Sequence, residues 1–185
     1  GNNIRLSYQT AYRFPSNQQQ FINLAVGSVR LIGGNEGFAT LFNFAGNPLY
    51  DFEELRKGNI VKVNAVQLKP ESLSSFEVGY KGLLMEDKLL IDLYGYYGQY
   101  KDFLGRLVTV QSNTNSAIAL VDTSKGNRLS IPVNSTDKVK SYGFGASFDL
   151  RLPRNFTLSV NAASDVLKDV PSNFVAYFNA PKYKV

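Results

Sequence analysis

Residues 68–100 carry the clearest alternation in the chain. Phe76, Val78 and Tyr80 fall on one side of an extended backbone, and Ser75, Glu77, Gly79 and Lys81 on the other. Glu86, Asp87 and Lys88 form a tight charged turn. Beyond it Leu89, Ile91, Leu93 and Tyr97 share a face, and Asp92, Tyr94, Tyr96 and Tyr100 share the opposite one. The same period of two sets Ile4, Leu6, Tyr8 and Tyr12 against Arg5, Ser7, Gln9 and Arg13. It returns at 140–150, where Tyr142, Phe144, Ala146, Phe148 and Leu150 oppose Ser141, Gly143, Gly145, Ser147 and Asp149. Phe156, Leu158 and Val160 then alternate with Thr157, Ser159 and Asn161. Each stretch predicts a strand with one apolar and one polar face. The small polar face at 140–150, with its two glycines, predicts a close approach to the backbone there.

The connections differ sharply in length. Pro15 ends the first strand, because it has no N–H for the ladder. Ser16 with Gln19 three residues on predicts a capping box and a short helix to about Leu24. The stretch to about Gln67 reads as long and irregular, punctuated by Gly27, Gly33, Gly34, Gly37, Gly46 and Pro48. Within it, 51–56 predicts one or two helical turns, with Asp51 as N-cap, Glu54 at the third position and Gly58 as the stop. After the central hairpin, strands are expected over 105–111, 118–123 and 128–133, as a ribbon rising above the rest. Polar turns are expected at 112–116, 124–127 and 134–138, a loop over 164–179, and a new strand from Ala180. Turns at 86–87 and 151–155 are short, while the connections 14–67, about 104–138 and 164–180 are long. That asymmetry is the rule for an outer-membrane β-barrel, with short turns on the periplasmic side and long loops outside. A hairpin of a soluble antiparallel sheet carries the same alternation, but has no reason to keep its two edges so different.

Composition narrows the chemistry. The 185 residues are 44% hydrophobic, with 15 Gly, 11 Tyr and 13 Phe, which suits sheets with aromatic faces. Cys and His are both absent. There is no disulfide framework, no thiolate, and no Ser-His-Asp or Cys-His-Asn triad. The net charge of +5 is spread along the chain, so no nucleic-acid patch is expected. No apolar run approaches the roughly 20 residues of a membrane helix. Ser135 and Lys138 fit S-x-x-K in a polar loop without partner motifs. Asp165 and Asp169 fit no calcium-loop spacing. No catalytic residue, metal site or cofactor is expected.

Three stretches carry a resemblance: an A-[FY]-R-x-P strand end (Ala11, Tyr12, Arg13, Phe14, Pro15), an L-x-P-E-x-x-x-S-x-E-x-G segment (Leu68, Pro70, Glu71, Ser75, Glu77, Gly79), and the hairpin that follows. With the segment at 169–185, the chain resembles the barrel of TonB-dependent outer-membrane receptors of the Bacteroidetes type. The resemblance implies a gated importer with a barrel of about 22 strands, an N-terminal plug, and energy delivered by TonB through that plug. It implies a small-molecule ligand such as a ferric chelate, cobalamin or an oligosaccharide.

The expected fold is therefore all-β: an antiparallel meander from a transmembrane β-barrel, present as a partial barrel, with long extracellular loops and one or two short helices. Residues 1–185 read as a single segment of the barrel domain, with plug and closing strands outside it. About five wall strands cannot close a membrane barrel, which needs about 8, so the segment alone should self-associate or fold into a small closed sheet. Arg13, Glu77, Lys81, Asp92, Tyr96 and Tyr100 are the expected residues facing ligand or plug. Glu77, Lys81 and Asp92 read equally as a ladder of ion pairs that sets register. Tyr96, Tyr97 and Tyr100 read as an aromatic girdle or a sugar-stacking platform. Phe38, Phe42, Phe44 and Tyr50 would cap a ligand or pack on each other. Outer-membrane lipid is the expected solvent and the outer membrane the location. The competing reading is a secreted or surface β-sandwich that binds a glycan or a protein.

Overall fold

The computed structural model describes residues 1–65, 67–117, 120, 122, 126–175 and 183–184. The long alternating segments become one antiparallel sheet of six strands: β1 (Asn2–Arg13), β6 (Glu71–Leu84), β7 (Leu89–Lys101), β10 (Val139–Arg151), β11 (Thr157–Lys168) and β13 (Tyr183–Lys184), in that spatial order. Each wall strand lies beside the next wall strand in sequence, which makes a meander. The sheet does not close on itself, and β1 and β13 are its edges.

Register fixes the two faces. Tyr8, Phe76, Tyr97 and Tyr142 form one cross-strand row, continued by Val166. Below it lie Leu6, Val78, Phe144 and then Ile4, Tyr80, Leu93, Ala146, ending on Leu89, Leu150 and Leu158. Nothing covers this face: Leu6 is 68% exposed, Phe144 54% and Leu158 54%. Tyr142 to Leu150 is about nine residues, close to the 9–11 a tilted strand needs to cross hydrocarbon. That gives about 26 Å along the strand, or about 20 Å of height at a tilt near 40°.

The second sheet is where sequence reading fell short. The stretch expected to be irregular contains β2 (Asn23–Val26), β3 (Val29–Ile32), β4 (Leu49–Asp51) and β5 (Lys62–Val63). With β8 (Leu104–Ser112) and β9 (Gly126–Asn134) they form a sheet in the order β2-β3-β9-β8-β4-β5, and β12 (Phe174–Val175) also pairs with β8. The buried core of the chain is here: Ile32, Leu49, Leu107, Leu129 and Ile131, with Phe42 and Phe44 packed on it. So the three long connections are one folded body. Strands of three or four residues give too short an alternation to read locally, and β3 pairs in parallel with β9, about 100 residues away in sequence.

Among the described residues three short α-helices occur, where one or two short helices were expected. α1 (Asn17–Phe21) has the expected capping box, with Ser16 and Gln19 bonded reciprocally. It stops at Phe21 rather than about Leu24, because Asn23–Val26 pairs with β3 around Gly27, whose φ of +56° suits the hairpin turn. α2 (Glu36–Leu41), capped by Asn35, was not expected. α3 (Phe52–Arg56) is capped by Asp51 as read, and Gly58 has φ +87° just past its end. β11 runs on through Lys168, where a loop from 164 was expected, since Ala162–Lys168 keep pairing with β10. The strand expected over 118–123 and the turn over 124–127 lie largely outside the described residues. Gly126 and Asn127 already belong to β9.

Candidate functional site

The polar face of the wall carries a ladder of charges across three strands. Arg5 Nε lies 3.5 Å from Glu77 Oε1, and Arg5 Nη2 donates to Asp92 Oδ1 at 3.3 Å. Lys81 Nζ sits 3.5 Å from Asp92 Oδ2. Arg5 rests over Gly79, where a Cβ would come within 2.5 Å of its Nε. All four side chains are partly solvated, so each pair contributes up to about 1 kcal/mol. Their joint effect is on register, because a one-residue slip would carry these charges onto the apolar face.

Further across the face, Tyr96 Oη donates to Asp165 Oδ1 at 2.7 Å, and Lys184 Nζ donates to Asp165 Oδ2 at 3.1 Å. The close approach expected at Gly143 and Gly145 is made by neighbouring tyrosines and, at Gly143, more closely still by the Ser164 carbonyl. A Cβ on Gly143 would meet the Tyr96 ring at 2.7 Å, and one on Gly145 the Tyr94 ring at 2.3 Å. The aromatic girdle needs the same correction. Tyr97 alone of the three lies on the apolar face; Tyr96 and Tyr100 lie on the polar one.

At the end of the wall nearest the second sheet, the two family-like motifs meet. Arg13 and Glu71 are cross-strand partners. Glu71 Oε2 accepts from Arg13 Nη2 at 2.7 Å and from the Leu104 N–H at 2.8 Å, while Oε1 accepts from Arg13 Nε at 3.1 Å. Glu71 is 5% exposed. One buried carboxylate thus joins β1, β6 and the first residue of β8. Beside it opens a cleft of about 680 Å³, lined by Arg13, Tyr100, Phe103, Gln18, Gln19 and Arg106 among others. Tyr100 packs edge-on against Phe103 at 5.6 Å. Arg106 is buried, donating to Ser130 Oγ and the Ile32 carbonyl at 3.1 and 2.9 Å and to the Ser130 carbonyl.

The six residues singled out from sequence therefore share one face but not one place. Arg13 and Tyr100 line the cleft, Glu77, Lys81 and Asp92 lie in the ladder, and Tyr96 is bonded to Asp165. Sequence reasoning missed Arg5 as the centre of the ladder and Asp165 as the partner of Tyr96. Position on the polar face was the available signal for Arg5. Asp165 was hidden by ending its strand too early.

Other candidates have ordinary roles. Ser135 Oγ donates to the Asp137 carbonyl and accepts from the Asp137 N–H, closing a turn. Asp169 pairs with Lys140 at 2.7 Å. Phe42 lies 6.4 and 6.1 Å from Phe38 and Phe44, so these aromatics pack on each other. Asp51 Oδ1 caps α3, and its Oδ2 accepts from Asn173 Nδ2 at 2.7 Å, tying the first long connection to the last. Among the described residues no cluster of three metal-ligating side chains occurs.

The family model described as TonB dependent receptor-like, beta-barrel, matches residues 1–184. No curated protein and no solved structure matches the chain.

Proposed function

The chain belongs to the TonB-dependent receptor β-barrel family, and from that premise we propose that it is a wall segment of a gated outer-membrane importer, of the Bacteroidetes type, in a Gram-negative cell. The observation that carries the reading is the pair of unlike faces on one continuous sheet. The apolar face is uncovered across five long strands, and the opposite face holds the ladder of ion pairs. A β-sandwich would need its second sheet to bury that apolar face. The second sheet instead builds a core from its own strands.

In this reading the wall is a passive, lipid-solvated scaffold. Its polar face, with Arg13, Glu77, Lys81, Asp92, Tyr96 and Tyr100, faces plug or ligand, and the cleft by Arg13 and Tyr100 is the mouth of the lumen. The joined outer loops form a preassembled capture surface. The cargo is a scarce small molecule such as a ferric chelate, cobalamin or an oligosaccharide. Energy arrives from TonB through the plug of the longer receptor. Residues 1–185 are one segment of the barrel domain, since the open edges at β1 and β13 need further strands before lipid can tolerate them.

Single cysteines test the topology, and the chain has none of its own. Asn59→Cys should react with a membrane-impermeant maleimide on intact cells. Glu86→Cys should react only after the outer membrane is opened. Phe144→Cys should resist the reagent in both cases. Labelling of Glu86→Cys from outside intact cells would overturn the orientation, and ready labelling of Phe144→Cys would overturn the lipid-facing wall.

A further inference from the structure

Part of the polar lining of the cleft beside Arg13 is not used by the fold. Glu71 accepts from Nε and Nη2 of Arg13, and Nη2 also donates to the Leu104 carbonyl at 3.4 Å. Nη1 is left over, on a side chain that is 54% exposed. The Gln18 side-chain amide and the Tyr100 hydroxyl line the same cleft, and neither makes a hydrogen bond among the described residues. Together these groups offer mainly donors. Among the described residues that line the cleft Glu71 is the one carboxylate, and it is buried and already accepts three hydrogen bonds. The apolar part of the lining is Phe14, Ile22, Leu31 and Phe103, with the Tyr100 ring edge-on to Phe103. A volume of about 680 Å³ is in the range of small-molecule sites.

We propose that this cleft binds a small molecule that carries a carboxylate on a flat apolar body. Arg13 Nη1 donates to the carboxylate, Gln18 and Tyr100 donate to further oxygens of the ligand, and Ile22, Leu31 and Phe103 contact its body. The inference rests on the importer reading and deepens it: the cargo is an acidic small molecule, and neutral sugars are set aside. Glu71 already holds the Arg13 guanidinium from one side, so little freedom is lost when a second carboxylate meets the other side. A hydrogen bond from that cation to an anion is roughly twice as strong as a neutral one. A sugar hydroxyl both donates and accepts, and a lining rich in donors serves only half of that need. A bare inorganic anion would meet the same donors but leave the apolar lining wet, so the body of the ligand adds to its affinity.

The test uses the intact receptor in nanodiscs of phosphatidylcholine. Naphthoate, its uncharged amide naphthamide, and acetate are compared by equilibrium dialysis, with empty nanodiscs as the blank. Naphthoate should bind, and the other two should bind at least about tenfold more weakly. Arg13→Gln should lose at least about tenfold in affinity for naphthoate and bring it level with naphthamide. Arg13 also holds Glu71, so two further variants leave that ion pair intact. Gln18→Ala and Tyr100→Phe should each lose about two- to tenfold for naphthoate. Equal binding of naphthoate and naphthamide, parent affinity in Arg13→Gln, or parent affinity in both of the other variants would each overturn the proposal. A receptor that stays dispersed without lipid or detergent overturns the wall reading and this proposal with it. A lipid-dependent receptor that binds the two naphthalene probes equally overturns the ligand class alone.

Discussion

Removing the Glu71 carboxylate should detach the second sheet from the wall. Glu71 accepts three hydrogen bonds, two from Arg13 and one from the Leu104 N–H. In Glu71→Ala the Leu104 N–H loses its acceptor, and Leu104 is 5% exposed. An orphaned buried donor costs about 1–3 kcal/mol. The Arg13 side chain is 54% exposed, so the loss of its ion pair adds no more than about 1 kcal/mol. The expected destabilisation is about 1–4 kcal/mol. Glu71→Gln keeps one carbonyl oxygen and should cost about half of that. The assay is urea unfolding in uncharged micelles, followed by tyrosine fluorescence, which 11 Tyr and no Trp make usable. A double-mutant cycle with Arg13→Ala should return a coupling near 1 kcal/mol. The comparison that decides is Glu77→Ala, which removes a partly solvated ladder carboxylate. If Glu71→Ala costs no more than Glu77→Ala, the carboxylate is not the joint between the sheets.

Phe144→Arg puts a charge on the lipid face and should cost about 2–4 kcal/mol, while Ser147→Arg on the polar face should cost under about 1 kcal/mol; folding into phosphatidylcholine vesicles compares the two. Gly143→Ala should destabilise more than Gly145→Ala, by about 1–3 kcal/mol. At Gly143 the added Cβ would meet the Ser164 carbonyl oxygen at 2.3 Å, whereas at Gly145 it meets only the Tyr94 ring, which can swing aside. Urea midpoints would show this, and the reverse order would refute it. Outside the membrane, hydrogen bonds from Lys57, then Asn59, hold the Glu54 carboxyl below its ordinary value of 4.5. Its contribution to α3 is therefore present above the unfolded value and lost as the pH falls through the lower folded one. Lys57→Gln should raise the Glu54 titration midpoint in an NMR carboxyl titration, and an unmoved midpoint would exclude the contact in solution.

The wall was legible because each of its strands is long and has two solvents. Long runs of alternation in β6, β7 and β10 declare a face without help from any neighbour. The caps of α1 and α3 were legible too, since Ser16–Gln19 and Asp51 act on backbone groups two or three residues away. The second sheet was not. β2 to β5 have two to four residues each, and β3 and β4 join the sheet only through β9 and β8, far along the chain. Ile32 and Leu49 look like scattered loop hydrophobics, and Leu107, Leu129 and Ile131 like members of a separate ribbon, until tertiary pairing gathers them.

The candidate site divides along the same line. Which residues lie on the polar face followed from parity alone, so Glu77, Lys81, Asp92, Tyr96 and Tyr100 could be grouped without coordinates. Which of them touch did not follow. Cross-strand register decided that Arg5 reaches both Glu77 and Asp92, that Tyr96 reaches Asp165 across the bare backbone of Gly143, and that Arg13 meets Glu71 where the wall hands over to the second sheet. A strand's own sequence sets the direction of its side chains; hydrogen-bond pairing with a strand elsewhere in the chain sets what stands opposite them.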